Sequence, residues 1–299
     1  MDLVTLTFKR DLRHTVLQAE SIQKFVSPCD HWVIVNEFGI SEKRKQLWRK
    51  ILQPYYTKHR LRLWFPDDLN ADNKLNQDIT KSSYFLGFKY QFTVAQFLDD
   101  DYVVLNAKNF FVKPVNLESW RNIVGSGWKR NLEINTNLNE LSWKTGNLFF
   151  SRYLKTGNRD ATMLGCVTPQ VVDRKLLIDH LGDFKDFNEF WNNTILLASE
   201  KIQFGDWYFY SHMISEDKVK NLPHNPEHYT LFWQNIFEVL GKSVKELLKE
   251  VDNTESVKMV GFHRFFLRNR SGPERILLNK WLKEKGFKTK LRPPTKLYK

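Results

Sequence analysis

The sequence has few cysteines and no long apolar run, and each shortage excludes a class of protein. Cys29 and Cys166 are the only cysteines in 299 residues, and they form no CxxC pair. This excludes a disulfide framework and makes a cysteine-based zinc site improbable, so we expect free thiols in a reducing cytoplasm. No stretch of eighteen apolar residues occurs, which argues against a transmembrane helix. The first residues lack the basic and apolar regions of a signal peptide.

Several catalytic signatures are also missing from the sequence. It contains no Gly-rich phosphate-binding loop, no HExxH and no GxSxG. P-loop, zinc-peptidase and α/β-hydrolase chemistry therefore have no support. What the chain does have is apolar material, at 41% of residues, and aromatic residues, at 14%. That is enough for a packed core in one large domain or two small ones.

Positive charge is concentrated at one end of the chain. The net charge is +12, and residues 257–299 hold thirteen Lys or Arg against two acids. Residues 1–256 are close to neutral, with 33 basic and 32 acidic residues. This asymmetry predicts a polyanionic partner, either nucleic acid or an anionic membrane surface. The alternative is a solvated helix and tail that only aid solubility.

The first 105 residues alternate between strand and helix patterns. Apolar and β-branched runs predict strands at 3–8, 31–35, 61–65 and 102–105. Helices are expected between them, one of which Ser41 would cap and one of which covers roughly 84–98. This βαβ series predicts an α/β fold with a mostly parallel central sheet covered on both sides by helices.

Polar residues follow the predicted strands at the edge where ligands bind in open α/β sheets, beyond the carboxyl ends. Thr7, Lys9 and Arg10 follow the first strand and are candidates for nucleotide contacts. Asn36 and Glu37 follow the second strand and are candidates for reading the base or ribose. The alternatives are a solvated loop at Lys9 and Arg10 and ordinary surface charge at Glu37. The Asp99-Asp100-Asp101 run precedes its strand, so we place it on the opposite edge and discount it as a metal site.

Residues 102–114 read YVVLNAKNFFVKP and carry a resemblance to a known family. Together with the βαβ order, this stretch resembles GT-A glycosyltransferases, whose central strand ends in Asp-x-Asp followed by an apolar pair. It resembles in particular a bacterial and phage branch with an Asp-Ala-Lys-Asn version of the motif. Later segments match that branch in order: Thr168-Pro169, Asp206 four residues before Tyr210, and Gly261-Phe262-His263-Arg264.

The resemblance implies an enzyme that moves a hexose or pentose from a nucleotide sugar, a UDP-sugar foremost, to a hydroxyl acceptor. In this family a metal bound at the motif neutralises the leaving diphosphate. Here Asn106 replaces the first aspartate and Lys108 stands at the third position. An amide brings no charge to a hard cation, whereas a lysine ammonium acts as a point charge on phosphate. We therefore predict that Lys108, with His263 and Arg264, partly or wholly replaces the metal.

Two alternatives to the lysine hypothesis stay open. One is a weakly held Mn²⁺ or Mg²⁺ with ligands from Asn106, Asn109 and His263. The other is that Lys108 is a surface lysine at a strand end. Whether lysine or a weakly held metal neutralises the diphosphate, the predicted donor-binding residues at this site are Asn106, Lys108, Asn109, His263 and Arg264.

Glycosyl transfer by inversion needs a carboxylate that deprotonates the acceptor hydroxyl. The resemblance makes Asp206 the first candidate, and Asp173, just beyond Thr168-Pro169, is the second. The alternative for Asp206 is a helix N-cap. Trp207 and Tyr210 are candidates for stacking on a sugar or base, although aromatic residues are more often buried in the core.

Two acceptors are compatible with the basic segment. One is DNA carrying a hydroxymethylated pyrimidine, which the sequence favours, with phosphate contacts from Arg268, Arg270, Arg275, Lys283 and Lys288. The other is a surface polysaccharide or lipid-linked glycan, with the basic segment on anionic headgroups. A non-enzymatic nucleic-acid-binding module is a third, lesser reading.

The predicted organisation is a catalytic domain over 1–256 and a final strand with a basic C-terminal helical arm over 257–299. Within the catalytic domain, 1–120 would form the nucleotide-sugar half and 121–256 the acceptor half. Ile276, Leu277, Trp281 and Leu282 form a short apolar stripe in the arm, which could also dock on the body.

Overall fold

A computed structural model of the chain describes residues 1–37, 39–66, 89–123, 148, 150–156, 168–182, 184–191, 206–214, 229–232, 241–262 and 272–291. All statements about the structure concern these residues. None of the helices among them combines the length and the apolar character needed to cross a bilayer.

A five-stranded sheet forms the centre of the molecule. Its strands are β1 (Asp2–Thr7), β2 (Asp30–Val35), β3 (Arg60–Trp64), β4 (Tyr102–Asn106) and β6 (Gln170–Val172). The spatial order is β3-β2-β1-β4-β6, with β1 to β4 parallel and β6 antiparallel to β4. The prediction of an α/β fold with a mostly parallel sheet is confirmed. The antiparallel edge strand was not predicted, because a three-residue strand has too short an apolar pattern to reveal its direction.

Helices cover both faces of this sheet because alternate residues of each strand point to opposite sides. On one face, Leu3 and Val33 pack under α1 (Leu12–Phe25) and α2 (Glu42–Leu52). On the other face, Val4 and Leu6 pack under a set of shorter helices. These are a helical segment at 89–93, α3 (Arg174–Leu181), α4 (Phe184–Phe190) and α5 (Asp206–Ser211).

A smaller sheet extends the fold beyond the end of β4. It has the order β5-β8-β7, with β5 at Asn109–Phe111, β7 at Tyr229–Phe232 and β8 at Met259–Phe262. β5 runs antiparallel to β8, and β7 runs parallel to it. The chain therefore leaves the central sheet at Asn106 and enters the second sheet three residues later.

Two further helices pack on the smaller sheet. They are α6 (Val244–Asn253) and α7 (Gly272–Glu284). α6 begins with a capping box in which Ser243 and Glu246 satisfy each other's backbone N–H groups. Ser41 occupies the N-cap position of α2, but its side chain accepts no capping hydrogen bond.

The described part of the predicted C-terminal arm packs on the rest of the protein and is not a free arm. Leu278, Trp281 and Leu282 of α7 are buried in one apolar cluster with Leu17 of α1. Trp281 and Leu282 of the predicted stripe therefore dock on the body, which was the alternative to an interfacial helix, whereas Ile276 of the stripe is 69% exposed. The boundary expected at 256/257 does not separate two units, because Val251 and Val260 belong to the same cluster.

A buried polar network lies between β1, β2 and the segment after α2. His31 is fully buried, and its two ring nitrogens lie 2.8 Å from Thr5 Oγ1 and 2.6 Å from Tyr56 Oη. Burial lowers the pKa of His31 to about 3. The ring is therefore held neutral, which suits one donor and one acceptor role in these two hydrogen bonds.

Candidate functional site

The central sheet has its topological switch point between β1 and β4. From β1 the chain adds β2 and β3 on one side and then returns to place β4 on the other side. Ligands of open α/β sheets bind outside the carboxyl ends of the strands at such a point. Leu6 pairs with Asn106 and Thr7 pairs with Val35, so the ends of β1, β2 and β4 lie at one edge. The segments that carry the candidate residues thus leave the sheet at the same edge.

Asn109 anchors the turn that follows β4. Its Oδ1 accepts hydrogen bonds from the backbone N–H of Asn106 (2.7 Å) and from Thr168 Oγ1 (2.7 Å). Thr168 Oγ1 in turn accepts from Asn106 Nδ2 at 3.0 Å. Asn109 and Thr168 are both buried, so these bonds are shielded from water. The Thr168-Pro169 segment is therefore attached to the motif across 62 residues of sequence.

Gln18 is a site residue that sequence analysis missed. It projects from α1, is fully buried, and its Nε2 donates to the backbone carbonyls of Asn106 (2.8 Å) and Asn109 (3.0 Å). It thereby fixes both ends of the turn that carries Ala107 and Lys108. The only sequence feature that points to Gln18 is a polar residue on the buried side of an amphipathic helix. That feature does not show which groups the glutamine binds.

Lys108 lies in this turn, at the junction of the two sheets. Its side chain is partly exposed, and its carbonyl accepts a hydrogen bond from the backbone N–H of Phe262 at 3.2 Å. β8 therefore ends beside Lys108. His263 and Arg264, which follow Phe262 in the sequence, lie outside the described residues.

The segment after β1 turns at once into a short 3₁₀ helix, Lys9–Asp11. Arg10 is exposed, with its guanidinium 5.2 Å from the centre of the Phe8 ring and 3.9 Å from the Asp11 carboxylate. Thr7 differs from the expectation of a nucleotide contact, because its hydroxyl is fully buried and lies 2.6 Å from Thr15 Oγ1. Its side chain supports the start of α1 and does not face a ligand.

Asn36 and Glu37 lie at the end of β2, beside β1. The backbone N–H of Asn36 donates to the Thr7 carbonyl at 2.9 Å. The Glu37 carboxylate is partly buried and forms an ion pair with Arg44 at 2.8 Å. Burial raises the pKa of the Glu37 carboxyl, which an ordinary surface carboxylate would not show.

The expectation that Asp173 is a catalytic base needs correction. β6 runs antiparallel to β4 with Val172 opposite Tyr102, so Asp173 lies by the amino end of β4. The four residue-to-residue steps from Tyr102 to Asn106 put it roughly 13 Å from the carboxyl edge, at about 3.3 Å per step. Asp173 is instead the N-cap of α3, where its carboxylate accepts from the Leu176 N–H at 2.8 Å.

The expectation that Tyr210 stacks on an acceptor also needs correction. Tyr210 is a residue of α5 that is fully buried in the core, and its hydroxyl accepts from the Asp173 N–H at 2.8 Å. No face of its ring is available to a sugar or base. It is the core aromatic that the alternative reading anticipated.

The other predicted site residues fall into two groups. α5 begins at Asp206, and only the backbone is described at Asp206 and Trp207, whereas Arg268 and Arg270 lie outside the described residues. Arg275, Lys283 and Lys288 lie on α7 and the turn after it. In the part of the chain that the structure describes, none of these three forms a hydrogen bond or ion pair with the Asn106–Asn109 turn.

The described residues do not fit a metal ion at the motif. Both acceptor positions of Asn109 Oδ1 are used by hydrogen bonds, so Asn109 cannot be the oxygen ligand that was expected. No group of three His, Cys, Asp or Glu among the described residues is placed to hold a cation. Asn106 therefore contributes at most one neutral oxygen, which is a weak ligand for Mn²⁺ or Mg²⁺.

The Asp99–Asp101 run lies at the amino end of β4, as predicted. Asp100 pairs with Arg121 (2.8 Å) and with the Met1 ammonium (2.9 Å), and Asp101 pairs with Arg121 (3.1 Å). The Arg121 guanidinium, helped by the ammonium, holds the pKa of Asp100 well below its usual range. This cluster is a structural ion network at the edge opposite the site.

No protein-family model and no curated protein matches the chain in sequence. Among solved structures, the chain is similar to mouse xyloside xylosyltransferase 1 in its apo form, with 10% identity, a TM-score of 0.46, and coverage of 87% of this chain and 97% of that chain. It is similar to the galactosyltransferase LgtC in complex with donor and acceptor sugar analogues, with 12% identity, a TM-score of 0.48, and coverage of 98% of each chain. It is also similar to apo WbbM, a bifunctional glycosyltransferase, with 11% identity, a TM-score of 0.44, and coverage of 87% of this chain and 45% of that chain. Likeness at these identities and scores is distant, and it assigns neither a family nor an activity to this chain.

Proposed function

We propose that the protein is a GT-A-type glycosyltransferase that binds a nucleotide-sugar donor, a UDP-sugar foremost, at the carboxyl edge of β1, β2 and β4. The observation that carries this proposal is the buried hydrogen-bond network of Gln18, Asn106, Asn109 and Thr168. It fixes a turn that holds Lys108 at the topological switch point. Three of these polar side chains, those of Gln18, Asn109 and Thr168, are buried, and a purely structural turn at a strand end does not need so many to define it.

In this proposal Lys108 neutralises the diphosphate of the donor. Its ammonium acts as a point charge on phosphate oxygens, and Arg10 on the neighbouring segment supplies a second positive charge. His263 and Arg264 follow Phe262 in the sequence, the N–H of Phe262 is bonded to the Lys108 carbonyl, and we propose both residues as further positive groups for the diphosphate. Asn106 orients the donor through its amide. Asn36 and Glu37 at the end of β2 are the proposed contacts to base or ribose.

Asp206 is the proposed general base for the acceptor hydroxyl. Asp173 is excluded from this role by its position at the amino end of β4. Asp206→Asn should lower turnover by about 10²–10⁴-fold, the usual contribution of a general base. Asp186→Asn, which changes an exposed carboxylate on α4, is the matched control. Equal turnover in the two folded variants would contradict this assignment.

For the acceptor, we propose a hydroxyl of a polysaccharide or lipid-linked glycan presented at an anionic surface. DNA with hydroxymethylated pyrimidines, favoured by the sequence, is the second candidate. Its basis was a free basic arm that follows phosphates, and α7 is instead docked on the body. Arg275, Lys283 and Lys288 stay available to either polyanion. Transfer assays with a glycan acceptor and with hydroxymethylated duplex DNA, read by mass shift, distinguish the two.

Donor turnover tests the enzyme assignment itself. The protein is incubated with UDP-, GDP- and CMP-sugars in EDTA and, in parallel, with Mn²⁺, and release of the nucleotide is measured. We expect turnover of one donor class in EDTA, with a loss of at least ten-fold in Lys108→Gln and none in Lys175→Gln on the exposed surface of α3. Strict Mn²⁺ dependence would reject the role of Lys108 as a metal substitute. No turnover and no binding of any donor would favour the non-enzymatic nucleic-acid-binding module.

A further inference from the structure

α1 packs against α2 on one side and against α7 on the other. Ala19 of α1 packs in one cluster with Trp48 of α2, and Leu17 packs in another with Trp281 of α7. Hydrogen bonds near the end of α1 join both neighbours. Gln23 Nε2 donates to Thr57 Oγ1 (2.6 Å), after α2, and Lys24 Nζ donates to the Lys285 carbonyl (2.6 Å), after α7. α2 and α7 therefore lie beside α1, and we call the solvent-exposed residues of these three helices the helical face.

The helical face is strongly basic. α2 holds five basic residues and one acid, Glu42, over residues 42–52. Residues 272–291 hold six basic residues and two acids. Lys43 and Lys50 are exposed and form no ion pair with any residue that the structure describes. The contribution of α2 is hidden in the sequence average, because residues 1–256 as a whole are nearly neutral.

The helical face also carries exposed apolar side chains between its lysines. Leu47 of α2 is 50% exposed and Ile276 of α7 is 69% exposed. Leu47 lies in a shallow depression with Lys43 and Lys50 on its rim. The apolar positions of both helices that the core needs are already buried, at Trp48 and Leu52 in α2 and at Leu278 and Leu282 in α7. Leu47 and Ile276 are therefore surplus to the core.

We propose that the helical face docks on an anionic lipid bilayer. Lysines attract anionic headgroups, and isolated apolar side chains among them enter the boundary between headgroups and acyl chains. Nucleic acid would use the same positive charge through its phosphates, but it offers no apolar layer for Leu47 and Ile276. The combination of the two kinds of residue is what favours the bilayer.

Docking in this orientation would give the candidate site a defined position. α1 and α2 begin at the carboxyl edge of the sheet, next to Thr7 and Asn36, so the site lies at one end of the helical face. A bilayer under the three helices would then lie alongside the site rather than across its opening. An acceptor held in the same bilayer could approach from the side, which agrees with a lipid-linked or membrane-presented glycan.

Vesicle flotation of the full-length protein tests the docking surface. The probes are vesicles of pure phosphatidylcholine and vesicles with about one-third phosphatidylglycerol, at low salt and at high salt, and the measured quantity is the bound fraction. We expect binding to the anionic vesicles that falls at high salt, because screening weakens the headgroup attraction. Lipid binding needs no donor, so this result is independent of whether nucleotide-sugar turnover is found.

Two variants and their matched controls locate the surface. Lys43→Gln/Lys50→Gln/Lys280→Gln should weaken partitioning by about 100-fold, given about 1 kcal/mol for each lysine near the headgroups. Leu47→Ser/Ile276→Ser should weaken it by about ten-fold or more. The controls lie on the opposite face of the sheet: Arg152→Gln/Lys155→Gln/Lys175→Gln for charge and Leu148→Ser for the apolar change. They should bind as the parent protein does.

Three results would overturn the proposal. The first is absence of binding to anionic vesicles at low salt. The second is an equal loss of binding in the helical-face variants and their controls. The third is tight binding of duplex DNA in a gel-shift assay that Lys43→Gln/Lys50→Gln/Lys280→Gln abolishes while Leu47→Ser/Ile276→Ser leaves it unchanged, since the face would then serve nucleic acid.

Discussion

Asn109 links three parts of the chain that are distant in sequence. Its side-chain oxygen accepts from Asn106 and Thr168, while its backbone carbonyl accepts from Gln18. At the residue scale, the Asn109 side-chain oxygen is occupied by structural hydrogen bonds. The function of Asn109 in this account is to position the Lys108 turn.

The Thr168 hydroxyl provides a direct test of this positioning. Thr168→Val keeps the shape of the side chain but removes a donor to Asn109 and an acceptor for Asn106. We expect the free energy of unfolding to fall by about 1–3 kcal/mol, because buried partners lose hydrogen bonds, and donor affinity to fall several-fold. Thr168→Ser keeps the hydroxyl and is the control. Urea unfolding and donor titration measure the two effects, and equal behaviour of the two variants would contradict the role of the network.

The buried His31 predicts how stability depends on pH. Its pKa is lowered in the folded state to about 3 from an ordinary 6.5, so below pH 6.5 the unfolded chain binds the additional proton. Stability from this group is therefore full above pH 6.5 and is lost as the pH falls towards 3. Between pH 7 and 4.5 the loss should be about 2–3 kcal/mol.

The pH effect is measured by urea unfolding at the two pH values. His31→Gln should show a smaller loss between them than the parent protein, because the titrating group is gone. His180→Gln, at an exposed position on α3, should follow the parent protein. A loss of the same size in His31→Gln would show that other groups account for the acid sensitivity.

At the scale of elements, several contacts attach the C-terminal segment to the body. The Glu20 carboxylate accepts from the backbone N–H groups of Lys288 and Thr289, and Trp281 Nε1 donates to Asp252. Lys113 Nζ donates to carbonyls at the end of α6. These bonds and the apolar cluster beneath them make α7 part of the core.

Substitution of two side chains of α7 that are similar in size tests whether this helix is docked or free. Leu282 is 1% exposed, whereas Ile276 is 69% exposed. Leu282→Ala should lower the free energy of unfolding by about 2–4 kcal/mol, because it removes buried methyl groups and leaves a cavity. Ile276→Ala should change it by less than about 0.5 kcal/mol. Chemical unfolding measures both, and near-equal small effects would indicate that α7 is not part of the folded core.

The sequence predicts the central sheet well because its strands are marked by apolar runs that end in polar residues. The ends at Thr7, Asn36 and Asn106 could be assigned to one edge from parallel connectivity alone. Gln18 and Thr168 could not be assigned to the site, because their partners are set by packing between elements 59 to 91 residues apart. The second sheet was missed for the same reason, since β5 and β8 are short and pair across the chain.

At the scale of the whole molecule, the binding of a polyanion depends on which basic residues lie on the same surface, and the distribution of charge along the sequence does not give this. The basic segment from 257 onwards indicated a polyanionic partner, and its apolar stripe left docking on the body open. The fold places α7 and α2 each against α1, and the docking proposal assigns basic residues such as Lys43 and Lys280 to one surface. The adjacent carboxyl edge carries the candidate site. Donor binding and surface docking are thus assigned to neighbouring but separate parts of the molecule.

The most direct test of the central claim is a thermal-shift measurement of donor binding in EDTA. A nucleotide sugar that binds the native state raises the melting temperature. We predict that one UDP-, GDP- or CMP-sugar raises it for the parent protein and for Lys175→Gln, and that Lys108→Gln loses the shift. If no nucleotide sugar shifts the melting temperature, or if Lys108→Gln responds as the parent protein does, the donor is not held at the carboxyl edge beside Lys108.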